Sequence, residues 1–128
     1  MQASRMATTL DSTPVSAITT HVLDTSRGVP AAGVNVTLEW SSQTGDWQRM
    51  GQGQTDPDGR LRTLMPESGS PPPGVYRLRF ETGAYFESHG TPAFHPHIIV
   101  TFEVVDGEAH HHVPLLVSPF GYTTYRGS

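Results

Sequence analysis

Val34-Asn35-Val36-Thr37-Leu38-Glu39-Trp40 alternates apolar and polar residues without a break. Successive side chains leave a strand on opposite faces, so the run reads as a half-buried β-strand with one apolar face. The same period recurs. Tyr76, Leu78 and Phe80 share one face of a strand at 75–81, and Ile98, Val100, Phe102 and Val104 alternate with His97, Ile99, Thr101 and Glu103. Further strands are predicted at 17–23, 47–54, 60–64, 110–118 and 121–125. Turn residues separate them: Asp24 to Gly28, Gly45-Asp46, Asp56-Pro57-Asp58-Gly59 and Asp106-Gly107. The stretch 82–89 is the one helix candidate, opened by Thr82 as N-cap and stopped by Gly90. About eight short strands at this spacing describe an all-β, two-sheet sandwich with one short helix.

At 128 residues the chain reads as one domain, 15–128, behind a Ser/Thr-rich leader at 1–14 that lacks periodicity and is expected to be disordered. A domain of this size has little room for a deep private cleft, so an oligomer interface is the natural place for a site. The 13 Gly and 11 Pro favour strands and turns over helices. A net charge of −4 with scattered acids and bases gives no nucleic-acid groove and no anionic-membrane patch. No run approaches the roughly 18 apolar residues of a membrane span, and residues 1–13 lack a signal core, so the expected setting is cytoplasmic. Two absences exclude chemistry outright. With no Cys there is no thiolate nucleophile, disulfide or Cys-ligated zinc. All eight basic residues are Arg, so Schiff-base catalysis through lysine is excluded as well. His, Asp, Glu, Ser, Thr, Tyr and Arg remain.

The histidines are the natural candidates. His110 and His112 lie two apart on one predicted strand and share a face with Leu116, while His111 turns the other way with Val113 and Leu115. His21 sits mid-strand on a mixed face, where partial desolvation would keep its imidazole neutral and able to act as a base on water. A single strand histidine is more often structural, and only convergence in space would change that. His95-Pro96-His97 and His110 to His112 also offer i, i+2 pairs for zinc or copper, but no third ligand stands at a characteristic spacing. No metal and no cofactor is expected. The tail Tyr125-Arg126-Gly127-Ser128 follows the apolar run Val113 to Val117 closely, which argues against a cloning scar.

Five pieces in order carry a family resemblance: Thr19-Thr20-His21-Val22-Leu23-Asp24, Thr55-Asp56-Pro57-Asp58-Gly59-Arg60-Leu61, Tyr85-Phe86, His110 to Ser118, and Tyr125-Arg126-Gly127-Ser128. Together they resemble the transthyretin-related 5-hydroxyisourate hydrolases of urate degradation, from about residue 16 onward. The resemblance implies a transthyretin-like (prealbumin-like) sandwich, assembled as a homotetramer with active sites in the channel between subunits. It implies a cofactor-free hydrolase acting on a small molecule, with His21, Arg60, His112 and Ser128 catalytic. His21 and Arg60, with Tyr125 and Arg126, would also bind substrate. Departures are peripheral: the leader, the prolines at 71–73, and His111 where the family often has Tyr. The alternative is a transthyretin-like small-ligand or metal-binding module without catalysis.

Overall fold

The computed structural model describes residues 16–42, 45–65 and 70–128. The leader expected at 1–14 lies outside the described residues. Nine strands are described: β1 (Ile18–Asp24), β2 (Val29–Pro30), β3 (Asn35–Ser41), β4 (Trp47–Gln54), β5 (Arg60–Leu61), β6 (Gly74–Phe80), β7 (Ile98–Val104), β8 (His111–Val117) and β9 (Tyr122–Thr124). Among the described residues one helix, α1 (Thr82–Ser88), joins them. One sheet runs β2-β1-β8-β9, with β5 also paired to β1; the other runs β4-β3-β6-β7.

The alternation decides what meets between the sheets. Val36 and Leu38 of β3, Tyr76, Leu78 and Phe80 of β6, and Ile98, Val100 and Val104 of β7 are buried. They pack in one cluster with Ile18 and Val22 of β1 and with Val113, Leu115 and Val117 of β8. Leu115 is fully buried, so truncation to Ala would cost about 2–5 kcal/mol. The Tyr76 hydroxyl donates to the Pro72 carbonyl at 2.7 Å, and burial pushes its pKa up to about 12. Among the described residues, no helix is long and apolar enough to cross a membrane.

Five local expectations are corrected. The strand expected at 60–64 stops at Leu61, because the chain leaves β1 there and crosses to the other sheet. The Leu64 carbonyl lies so close over Gly51 of β4 that no Cβ would fit. The exposed pair Val29–Pro30 forms β2 opposite Leu23 and Asp24, a ninth strand too short to show a period. Glu81, not Thr82, is the N-cap of α1, and it makes no side-chain cap bond. Burial of Tyr85 and Phe86 fixes the helix instead, the Tyr85 hydroxyl donating to the buried Asp24 carboxylate at 2.9 Å. The Thr82 hydroxyl is buried without a partner among the described residues. Lastly, β8 begins at His111 and leaves His110 exposed just before it, and the closing strand covers only Tyr122–Thr124.

For the site, the decisive feature is that β1 and β8 run parallel. Their register sets Thr19 beside His112 and Ile18 beside His111, while antiparallel β5 sets Arg60 beside His21. Paired residues share a face of the sheet. Thr19, His21, Arg60 and His112 therefore stand together on the face turned away from the core residues Ile18 and Val22.

Candidate active site

Arg60 owes its place to the turn before it. The Asp56 carboxylate accepts the amides of Asp58 and Arg60, both at 2.9 Å, and the Gly59 amide donates to the Asp56 carbonyl at 2.8 Å. Gly59 has φ of 78°, and a Cβ there would lie 2.4 Å from the Val22 carbonyl oxygen. Only glycine satisfies both the left-handed backbone and the contact with β1.

Thr19, Thr20, Arg60, Arg62, His110, His112 and Ser128 line a cavity of about 200 Å³. Ser128 reaches it because the Gly127 amide donates to the His112 carbonyl at 2.8 Å, pairing the Tyr125–Ser128 segment with β8. The cavity thus gathers Arg60, His112 and Ser128 of the residues expected from sequence. His21 is not in its lining. It stands half-buried beside Arg60, close enough to His112 for the two imidazoles to influence each other's charge. Tyr125 and Arg126 line a second groove of about 230 Å³ with Val100, Phe102, Glu103 and His111, and His112 is the residue common to both. Arg126 also donates to the His110 carbonyl at 3.3 Å.

Both histidines are held below the ordinary imidazole pKa. For His21 burial is the largest cause and the Arg60 guanidinium the next, opposed by the Asp58 carbonyl and by the Asp56 and Asp58 charges. For His112 burial again leads, followed by His110, Arg60, His21 and Arg62. Both are consequently neutral at pH 7. The His21 tautomer follows from its partner. Its Nε2 lies 3.0 Å from the Asp58 carbonyl, which can only accept, so Nε2 carries the proton and Nδ1 holds the lone pair.

Sequence reasoning misses Thr19, Thr20 and Arg62 in the lining, and it carries His110 only as one of the candidate histidines and a possible metal ligand, with no role of its own. Thr19 has a readable signal, since it lies two residues before His21 on the same strand face. Thr20 is committed to the fold, its hydroxyl donating to the Val113 carbonyl at 2.6 Å. Arg62 has no signal, because β5 ends before it. His111, expected to face a packed environment, is buried, with Nδ1 donating to the Ala109 carbonyl at 3.0 Å and its ring beside Phe102. His95 packs edge-on against Phe94 and Tyr122. Among the described residues, no group of three or more His, Cys, Asp or Glu is placed to hold a metal ion. Around the cavity stand the neutral imidazoles of His21 and His112, the His110 ring, two guanidiniums and the Thr19 and Ser128 hydroxyls, a set suited to activating water and binding an oxygen-rich or anionic molecule.

Comparison with known proteins bears on which molecule that is. The HIUase/Transthyretin family model matches residues 18–127. A 5-hydroxyisourate hydrolase of Salmonella dublin is 47% identical over 111 residues, covering 87% of this chain and 80% of that protein. The solved Klebsiella pneumoniae 5-hydroxyisourate hydrolase superposes with a TM-score of 0.75 at 34% identity, covering 87% of this chain and 98% of that one. Sea bream transthyretin in complex with thyroxine superposes with a TM-score of 0.81, also at 34% identity, over 87% and 94% of the two chains. Backbone likeness therefore does not separate the hydrolase from transthyretin, and the side chains must. With its sandwich, its parallel β1–β8 pair and a match along nearly all of the described sequence, the chain belongs to the HIUase/Transthyretin family.

Proposed function

We propose that this chain hydrolyses 5-hydroxyisourate to 2-oxo-4-hydroxy-4-carboxy-5-ureidoimidazoline, a step of urate degradation. The observation that carries the reading is the placement of Arg60, His112 and Ser128 around one cavity with His21 beside Arg60, in a chain 47% identical to a hydrolase of that name. The substrate is a planar, oxygen-rich bicycle whose six-membered ring opens when water attacks a ring carbonyl. Water must lose a proton, the tetrahedral oxyanion must be stabilised, and the leaving ring nitrogen must gain a proton.

His21 and His112, neutral at pH 7, are suited to take the water proton and return it to the leaving nitrogen. Arg60 serves twice, binding substrate oxygens and the developing oxyanion while helping to hold both imidazoles neutral. Ser128 positions water or substrate by hydrogen bonding. Tyr125 and Arg126, in the adjoining groove, hold the ring. No resident metal or cofactor has a step to perform.

The cavity is small and open, and Phe94, Phe120 and Tyr125 are exposed. The Phe94 amide donates to the Pro119 carbonyl at 2.7 Å, which brings Phe94 to the segment that carries Phe120. Assembly as a homotetramer, with the site in the channel between subunits, would cover such apolar surface and enclose the cavity. The setting proposed is the cytoplasm. The competing reading, a small-ligand carrier without catalysis, rests on the higher superposition score of sea bream transthyretin. Ultraviolet decay of freshly made 5-hydroxyisourate separates the two. Decay well above the spontaneous rate is the hydrolase result, and decay at the spontaneous rate with saturable ligand binding is the carrier result.

A further inference from the structure

The Thr19 hydroxyl lies 2.9 Å from His110 Nε2 and 2.8 Å from His112 Nδ1. Thr19 is 3% exposed, so neither contact is open to replacement by bulk water. A hydroxyl carries one proton, and it can donate to only one of the two nitrogens. The other nitrogen must then bear a proton and donate to the oxygen. Where each ring carries a single proton, two arrangements satisfy every contact. In one, Thr19 donates to His112 and both histidines carry their proton on Nε2. In the other, Thr19 donates to His110 and both carry it on Nδ1, which leaves His112 Nε2 as a bare lone pair.

We infer that Thr19 is a positioning residue that locks the tautomers of His110 and His112 together and joins them as a proton relay between the cavity and the exposed His110. The inference rests on the hydrolase reading above. Starting from the second arrangement, His112 Nε2 takes a proton from the attacking water. His112 Nδ1 passes its proton to the Thr19 oxygen, and the Thr19 proton moves to His110 Nε2. His110, now doubly protonated and exposed, releases its Nδ1 proton to solvent. The first arrangement results, with His112 carrying a proton on Nε2 ready for the leaving ring nitrogen. Donation of that proton, with the relay running backward and one proton returning from solvent to His110, restores the start. Protons balance over the cycle, and no group outside the chain is needed besides water and substrate.

The relay gives a reason for a hydroxyl, rather than an apolar side chain, beside His112 in the parallel register. It also gives His110 a part distinct from that of His112. In the relay, His110 exchanges protons with solvent and His112 with the reacting atoms.

Two measurements on the full chain test it. Long-range ¹H–¹⁵N correlation of the histidine rings at neutral pH reads tautomers without any turnover. The wild-type protein should show His110 and His112 with the same tautomer or exchanging together, and Thr19→Val should uncouple them. Opposite fixed tautomers in the wild type would overturn the inference. Steady-state kinetics on 5-hydroxyisourate form the second arm. Thr19→Val should lower kcat by roughly 10²-fold with KM nearly unchanged, and Thr19→Ser, which keeps the hydroxyl, should restore most of it. Wild-type kcat in Thr19→Val would overturn the relay, whereas a wild-type protein without turnover would instead overturn the hydrolase reading.

Discussion

Gly127 lies against the His112 imidazole so closely that a Cβ at position 127 would fall 2.6 Å from Cδ2 of that ring, and its amide donates to the His112 carbonyl at 2.8 Å. The contact brings Ser128 into the cavity and permits no side chain between them. Gly127→Ala should therefore displace either the ring or the segment and lower kcat/KM by at least about tenfold, a loss near 1.4 kcal/mol in transition-state binding. Deleting Tyr125–Ser128 should abolish most turnover with little change in Tm, since Tyr125 and Ser128 are exposed. Wild-type turnover from the deleted protein would reduce the segment to a structural cap.

Arg60 carries a second expectation. His21 and His112 are both held down in part by its guanidinium, though burial is the larger cause for each. In the wild type the bases are neutral at pH 7, and activity should fall only as pH drops through their lowered pKa values. Arg60→Gln removes the cation, lets both pKa values rise, and should move the acidic limb of kcat/KM to higher pH besides weakening substrate binding. An acidic limb that stays in place would show that Arg60 does not tune these imidazoles.

Much of this arrangement is legible in the order of the residues. Period-two alternation at Val34 to Trp40, Tyr76 to Phe80 and Ile98 to Val104 places the core face, because each strand is long enough for three or four repeats. Short elements escape for the same reason: two residues at Val29–Pro30 carry no period, and the end of β5 is set by a crossing over Gly51 rather than by its own residues. The helix start differs from expectation because Thr82 has a capping side chain, yet tertiary burial of Tyr85 and Phe86 decides the geometry. In the candidate site, His21, Arg60, His112 and Ser128 follow from the family resemblance. Thr19 between two imidazoles does not, because the parallel pairing of strands 91 and 93 residues apart in sequence creates those contacts.

His111 should behave unlike its neighbours. It is buried, bonded to the Ala109 carbonyl and packed beside Phe102, so His111→Ala should destabilise the fold by about 1–3 kcal/mol while leaving kcat near wild type below the melting transition. Denaturant unfolding and kinetics on the same preparation check both halves. A large loss of kcat in a fully folded His111→Ala protein would count against the division of roles.

Acid stability tests the link between α1 and β1. Burial would raise the Asp24 pKa, but hydrogen bonds from Ser26, Tyr85 and the Arg27 amide outweigh it and leave the pKa lowered. The stability that Asp24 contributes is thus present above its unfolded pKa, about 3.9, and is lost as pH falls through the folded value. Tyr85→Phe removes one of those bonds and should cost about 1.5–3 kcal/mol at pH 7, with a smaller difference from wild type in strong acid. A gap between the two proteins that is constant with pH would contradict this.

The central claim is that neutral imidazoles on the β1–β8 face activate water against 5-hydroxyisourate. Its most direct measurement is the turnover number of folded His112→Ala beside wild type, read from the ultraviolet decay of freshly made substrate with the spontaneous rate subtracted. Rapid decay is expected with wild type, and a kcat lower by roughly 10²- to 10⁴-fold in the variant, about 3–5 kcal/mol of barrier. Equal turnover in the two proteins, or none above background in either, would contradict it.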